Sequence, residues 1–318
     1  KEWSISSPWR WVCWGAQAVR VEARMGALVE KCLVFPAPPL VDRAGLASSP
    51  NVFWDEQPTG LPSGGVRRPF LWLPAPEALV TILYFHANAE DLCTVESWLS
   101  ELRDNLGANV LAVEYPGYGL LQDLYVEGCD TTSVEGINRA AVHALECAVY
   151  TLGIPSVQVV LHGRSFGCGP ALWLARYAQE RLQMPLGGVI LQSPYLSMTQ
   201  VAGDHAGSLG SMLVDPYYDN LWILRQLCSV EAKEDECSQT PLLVLHGELD
   251  DVIHPYHGRK LYREALEQGH KAVEASFSPY ASHDDWNGMQ DLAMPISKFM
   301  LRHVVAFQAC TEPLLMKL

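Results

Sequence analysis

The chain has 318 residues, 49% of them hydrophobic, which suffices for one large α/β domain with a sizeable core. A formal net charge of -14 excludes the clustered Lys and Arg of a nucleic-acid footprint and sets the surface against anionic lipid. No run of about 18 apolar residues is present, so no helix of this sequence is expected to span a bilayer.

In chain order, the first 24 residues mix Trp3, Trp9, Trp11 and Trp14 with Arg10, Arg20 and Arg24 and lack the apolar stretch of a signal peptide. Met25-Gly26 offers an initiation site, although Glu30 stands where N-myristoylation wants Ser or Thr. Residues 1–30 are expected to form a poorly ordered extension and residues 31–318 a single domain. Val52 to Trp54 and Arg67 to Leu73 read as an antiparallel start, with Pro36 to Leu40 and Leu61 to Gly65 as loops. From Leu79 onward short apolar runs alternate with helical periodicity, the signature of a mostly parallel sheet covered on both faces.

The predicted strands are Val80 to Phe85, Val110 to Tyr115, Val157 to His162, Gly188 to Gln192, Leu242 to His246 and Val273 to Phe277. The predicted helices are Val95 to Leu106, Val134 to Leu152, Phe166 to Arg181, Gly258 to Gln268 and Pro295 to Val305. Between Pro194 and Thr240 the first half is rich in Gly and Ser and only Leu221 to Leu227 reads as a helix, so any lid there is small or absent.

Gly163-Arg164-Ser165-Phe166-Gly167 sits where a strand gives way to a helix, the setting of a nucleophile elbow. By chance a chain of this length shows G-x-S-x-G about once in ten, so placement has to decide. A serine hydroxyl is a weak nucleophile and needs a base within hydrogen-bond reach and a carboxylate to orient that base. Asp250 and His283 follow the predicted strands Leu242 to His246 and Val273 to Phe277. All three therefore fall at carboxyl ends of strands, where ligands of open α/β sheets bind, in the order Ser, Asp, His. Asp251 and Glu248 compete with Asp250, and His283 is one of ten histidines. Oxyanion donors are expected at the backbone N–H of Phe166 and of Asn88, or alternatively Ala89, in the loop after the first parallel strand. The same loop would also serve to cap the helix that follows it.

These residues together resemble the α/β-hydrolase superfamily, and within it the α/β-hydrolase-domain proteins that include membrane-associated protein depalmitoylases. The resemblance runs from about Lys31 to Val305. It rests on Phe85 to Asp91, Glu114-Tyr115-Pro116-Gly117-Tyr118-Gly119, Gly163 to Gly167, Ser193-Pro194, His246 to Ile253 and Ser282-His283-Asp284-Asp285. It implies an α/β-hydrolase fold and a serine hydrolase of acyl esters or thioesters that needs no cofactor and no metal. The substrate it implies is an acylated protein, with small lipid esters of a cytosolic carboxylesterase or lysophospholipase as the alternative, and a non-catalytic scaffold as the reading from another class. Ala87 stands where the family has glycine, which narrows the space beside the oxyanion hole. The family's N-terminal acylated cysteine cluster is represented only by Cys13 and Cys32, the latter just before Leu33-Val34-Phe35-Pro36.

Met198, Met212, Leu213, Tyr217 and Tyr218 are candidate walls for an acyl chain. Nine scattered cysteines without C-x-x-C spacing suggest free thiols in a reducing compartment, so the expected location is cytoplasmic, with peripheral membrane contact through any acyl tether. Cys168 reads as a small packing residue under the elbow, and His162 and His246 as structural. His254 and His257 near Asp250 and Asp251 have no ligand spacing that supports a metal.

Overall fold

A computed structural model describes residues 43–56, 67–122, 132–229 and 239–304. The readings made on residues 1–42, including Cys13, Cys32 and Met25-Gly26, on the loop 61–65 and on Val305 lie outside the described residues. Among the described residues, eight strands form one sheet in the order β1-β2-β4-β3-β5-β6-β7-β8. They are β1 (Val52–Glu56), β2 (Arg67–Leu73), β3 (Thr81–Phe85), β4 (Asn109–Val113), β5 (Val159–Arg164), β6 (Gly188–Gln192), β7 (Leu242–Gly247) and β8 (Val273–Ser278). β2 runs antiparallel to both β1 and β4, and every other pairing is parallel. β3, β6 and β7 are buried at every residue, which is why they read as continuous apolar runs and not as alternations.

The helices are α1 (Arg43–Ser48), α2 (Leu92–Leu106), α3 (Val134–Glu146), α4 (Cys168–Tyr177), α5 (Met198–Leu213), α6 (Asn220–Ser229), α7 (Tyr256–Glu267) and α8 (Met294–His303). α2 begins in a capping box, with Asp91 accepting from Thr94 N at 2.9 Å while Asp91 N donates to Thr94 Oγ1 at 2.8 Å. α2 and α8 cover one face, where Val95, Leu99, Leu102, Ile296 and Phe299 pack in one cluster with Ile82, Val110, Val160 and Ile190 of the sheet. On the other face α4 lies across β5 and β6, flanked by α3 and α6, and α7 lies on β7 and β8.

Most expected boundaries move by a residue or more, two of them for a local reason, and one element differs. The strand expected from Val157 begins at Val159, because Ser156–Gln158 closes a 3-10 turn first. The helix expected over Val134 to Leu152 is α-helical to Glu146 and widens into a π turn over Cys147–Thr151. The Gly- and Ser-rich half of the Pro194 to Thr240 stretch, expected without a helix, forms α5, broken at Ala206 and Gly207 where Gly207 takes φ 61°. The glycines that suggested a loop serve close packing: a Cβ on Gly203 would strike Ser211 Oγ, and one on Gly210 would strike the Ala202 carbonyl. Helix-breaking residues thus let the two halves of α5 fold against each other, and tertiary contact overrides propensity.

Candidate active site

β5 turns directly into a 3-10 turn over Ser165–Gly167 and then into α4. At that turn Ser165 has φ 52°, a left-handed conformation that costs an L-residue about 1–2 kcal/mol. The flanking glycines make the turn possible. A Cβ on Gly163 would collide with the Gly167 carbonyl, and one on Gly167 would collide with the Phe85 carbonyl of β3.

Ser165 Oγ lies 3.0 Å from His283 Nε2, and His283 Nδ1 lies 2.9 and 3.1 Å from the two oxygens of Asp250. All three residues are buried, at 8%, 8% and 3% exposure. Asp250 Oδ1 also accepts from the backbone N–H of Ile253 at 2.8 Å and of Val252 at 3.1 Å. Behind it His246 Nε2 donates to the Ile253 carbonyl at 2.8 Å and stands 3.5 Å from Asp250 Oδ2. Burial works against the charge on Asp250, yet the His246 and His283 donors and the Ile253 amide outweigh it and hold the carboxyl well below the usual carboxylate range. An ionised carboxylate only accepts, so Nδ1 of His283 carries the proton and Nε2 is left to accept from the serine hydroxyl.

The loop expected to supply an oxyanion donor is braced from several sides. The Ala87 N–H donates to Glu90 Oε2 at 2.8 Å, Tyr118 OH donates to Asn88 Oδ1 at 2.7 Å, and Tyr115 OH donates to the His86 carbonyl at 3.1 Å. Ala89 lies on the outer, exposed side of this loop, while Asn88 is half-buried. Phe166 is buried under Tyr218, ring centroids 5.7 Å apart.

Among the residues expected to wall an acyl chain, the Met198 N–H donates to the Tyr217 carbonyl at 3.4 Å. Met198 opens α5 behind the cap Ser197, Met212 is 83% exposed, Tyr217 OH bonds Asp215 at 3.1 Å, and the side chain of Leu213 lies outside the described residues. Tyr218 is buried and donates to Asn138 Oδ1 at 2.8 Å. Cys168 is wholly buried, its thiol donating to the Gly163 carbonyl at 3.1 Å, and burial pushes its pKa far up. His162 donates to Gln192 Oε1 at 3.1 Å, and His257 donates to Asp204 at 2.8 Å, away from Asp250. Among the described residues no group of three or more His, Cys, Asp or Glu side chains is gathered to hold a metal.

Arg164 has a part in the site that its place inside the elbow motif did not announce. Its guanidinium bonds Glu90, the Asp284 carboxylate at 2.7 Å and the His283 carbonyl at 3.2 Å. One side chain thereby ties the loop after β3, the serine turn and the histidine loop together. The available signal was the residue itself, since a guanidinium at a buried strand end demands carboxylate partners.

The sheet order, the elbow and the placement of His283 define an α/β-hydrolase fold. Among curated proteins it is similar to an α/β-hydrolase domain-containing protein, aho-3, of Caenorhabditis elegans: 29% identical over 214 residues, covering 67% of this chain and 54% of that protein. It is likewise similar to human α/β-hydrolase domain-containing protein 17C, 28% identical over 212 residues, covering 66% of this chain and 55% of the relative. The chain thus aligns with little more than half the length of these relatives. Among solved structures it resembles the Pyrococcus furiosus esterase Pf2001, with a TM-score of 0.56 at 15% identity over 84% of this chain and 99% of that one, a likeness of fold. No family model matches the chain. No helix among the described residues is long and apolar enough to cross a membrane.

Proposed function

We propose that the protein is a serine hydrolase of acyl esters or thioesters. Ser165 attacks the acyl carbonyl while His283 Nε2 takes its proton. The leaving group departs with that proton, and water attacks the acyl-enzyme by the same path in reverse. Asp250 holds the imidazole in the tautomer this requires. The backbone N–H groups of Phe166 and Asn88, with Ala89 as the alternative, receive the oxyanion. The observation that carries the reading is the continuous hydrogen-bonded line from Ser165 through His283 to Asp250, buried and fixed at the carboxyl edge of the sheet.

The substrate we favour is a fatty-acyl thioester on a protein, by similarity to the α/β-hydrolase domain-containing relatives. The location we favour is cytoplasmic with peripheral membrane contact. The buried cysteines Cys147, Cys168 and Cys228 are free thiols, which suits a reducing compartment. Labelling by a fluorophosphonate, competed by p-nitrophenyl esters of graded chain length and by an S-palmitoylated peptide, tests the reading. Labelling abolished in Ser165→Ala and competed by the peptide supports it. Labelling competed only by short esters transfers the assignment to a small-molecule esterase, and absence of labelling leaves a non-catalytic scaffold.

A further inference from the structure

A cavity of about 230 Å³ opens between α2, the ends of β5 and β6, and the loop that follows His283. Neither Ser165 nor His283 lines it, although Arg164 and Asp284, their chain neighbours, do. One face of α2 supplies a wall: Trp98, Glu101, Leu102 and Asn105 recur at spacings of three and four. Trp286 stands among the facing residues, its Nε1 committed to the His283 carbonyl at 3.1 Å.

The polar groups are arranged to receive a ligand. Gln192 is 2% exposed, and its Oε1 is taken by His162, which leaves its amide N–H groups without a partner among the described residues. Trp98 Nε1 has no hydrogen-bond partner there either, and the Glu101 carboxylate makes no ion pair there. Arg164 is already bound on both sides, by Glu90 and by Asp284. The cavity lining therefore holds two carboxylates, Glu101 and Asp284, against one guanidinium that Glu90 also neutralises from outside the cavity, and the local field favours a cation. The indole rings that line the cavity offer cation–π attraction, while an unpaired amide open to the cavity favours an oxygen acceptor.

We infer that this cavity is a binding site for a small organic cation, an ammonium head joined to an oxygen acceptor. In this arrangement the head lies against Trp98 and Trp286 within the field of Glu101, and the oxygen accepts from the Gln192 amide. An engineered cavity of about 150 Å³ holds benzene, so this one accommodates a ligand of roughly ten non-hydrogen atoms. The inference goes beyond hydrolysis and uses none of its steps.

Choline is the probe, followed by indole fluorescence and isothermal calorimetry, with the uncharged isostere 3,3-dimethylbutan-1-ol and with acetate as comparison arms. Choline is expected to bind at least about tenfold more tightly than its isostere, the margin of one partly desolvated cation–π contact. Glu101→Gln, an exposed position whose variant should fold, is expected to weaken choline about three- to fivefold without altering isostere binding. Gln192→Met removes the donor and is expected to weaken both alcohols. Equal affinity for choline and isostere would overturn the inference, as would preference for acetate, choline binding unchanged in both variants, or no binding of choline at about 50 mM, where even a very weak site would fill.

Discussion

Two buried histidine–carboxylate pairs stand at strand ends of the same sheet edge, and they differ in what surrounds the carboxylate. After β7, Asp250 receives His283, two backbone amides and the flank of His246. After β4, Glu114 faces His86 Nε2 at 3.4 Å and one backbone amide, that of Leu92, at 3.4 Å. Asp250 is held ionised; burial pushes Glu114 upward, with the His86 contact too weak to offset it. The number of donors, and not the presence of a histidine, decides which way a buried carboxyl is shifted. One pair is thereby suited to orient an imidazole for proton transfer. The other braces the loop that bears Asn88, its carboxyl pushed upward by burial, with His86 Nδ1 donating to the Ala87 carbonyl at 2.8 Å.

The largest expected effect lies at the first pair. Ser165→Ala should lower kcat on a p-nitrophenyl ester by about 10⁶-fold, and retention of full turnover in steady-state assays would refute the assigned nucleophile. Asp250→Asn should lower kcat by about 10⁴-fold through the wrong imidazole tautomer. If the contrast between the pairs holds, Glu114→Gln should leave kcat within about threefold, because an amide replaces at equal volume a carboxyl whose charged form burial disfavours. A loss at Glu114→Gln as deep as that at Asp250→Asn would erase the distinction.

Arg164 joins the two regions, bonding Glu90 of the loop that carries Asn88 and the backbone of His283. Arg164→Met should cost about 10²-fold in kcat with KM little changed, the expected result when reacting groups are displaced by about an ångström. Arg164→Lys should recover only part of that loss, since an ammonium cannot hold three partners in a fork. Equal kcat in wild type and Arg164→Met would remove its positioning role.

Stability against pH separates the pairs by sign. Asp250 has a folded pKa below its ordinary 3.8, so its stabilisation is present above that value and is lost as pH falls below it. Glu114 has a folded pKa above its ordinary 4.5, so the folded state loses stability as pH rises from 4.5 toward the folded value. In denaturant titrations Glu114→Gln should therefore gain on the wild type as pH rises through that window, whereas the deficit of Asp250→Asn should shrink below pH 3.8. The two trends running in the same direction would contradict the assignment. The smallest effect is the stability of Glu114→Gln at about pH 4, expected within about 1 kcal/mol of wild type.

Much of this molecule was legible in its residues. Continuous apolar runs marked β3, β6 and β7 because a strand covered on both faces has no polar side. Gly163 and Gly167 marked the elbow because a side chain at either position meets backbone. Asp250 and His283 followed their strands closely enough for chain order to single them out, and the fold brings both to Ser165. The helix α5 was hidden, since Gly203, Gly207 and Gly210 look like a loop until the two halves of the helix are seen packed together.

The sheet, the elbow and the residue types at its strand ends follow from the chain read residue by residue, because local sterics and periodic burial dictate them. Folding alone settled which way each buried carboxyl is shifted, which two loops Arg164 ties to the serine turn and where Gln192 is left with an unpaired amide. Those properties depend on groups distant in the chain, brought within hydrogen-bond reach only when the sheet has closed.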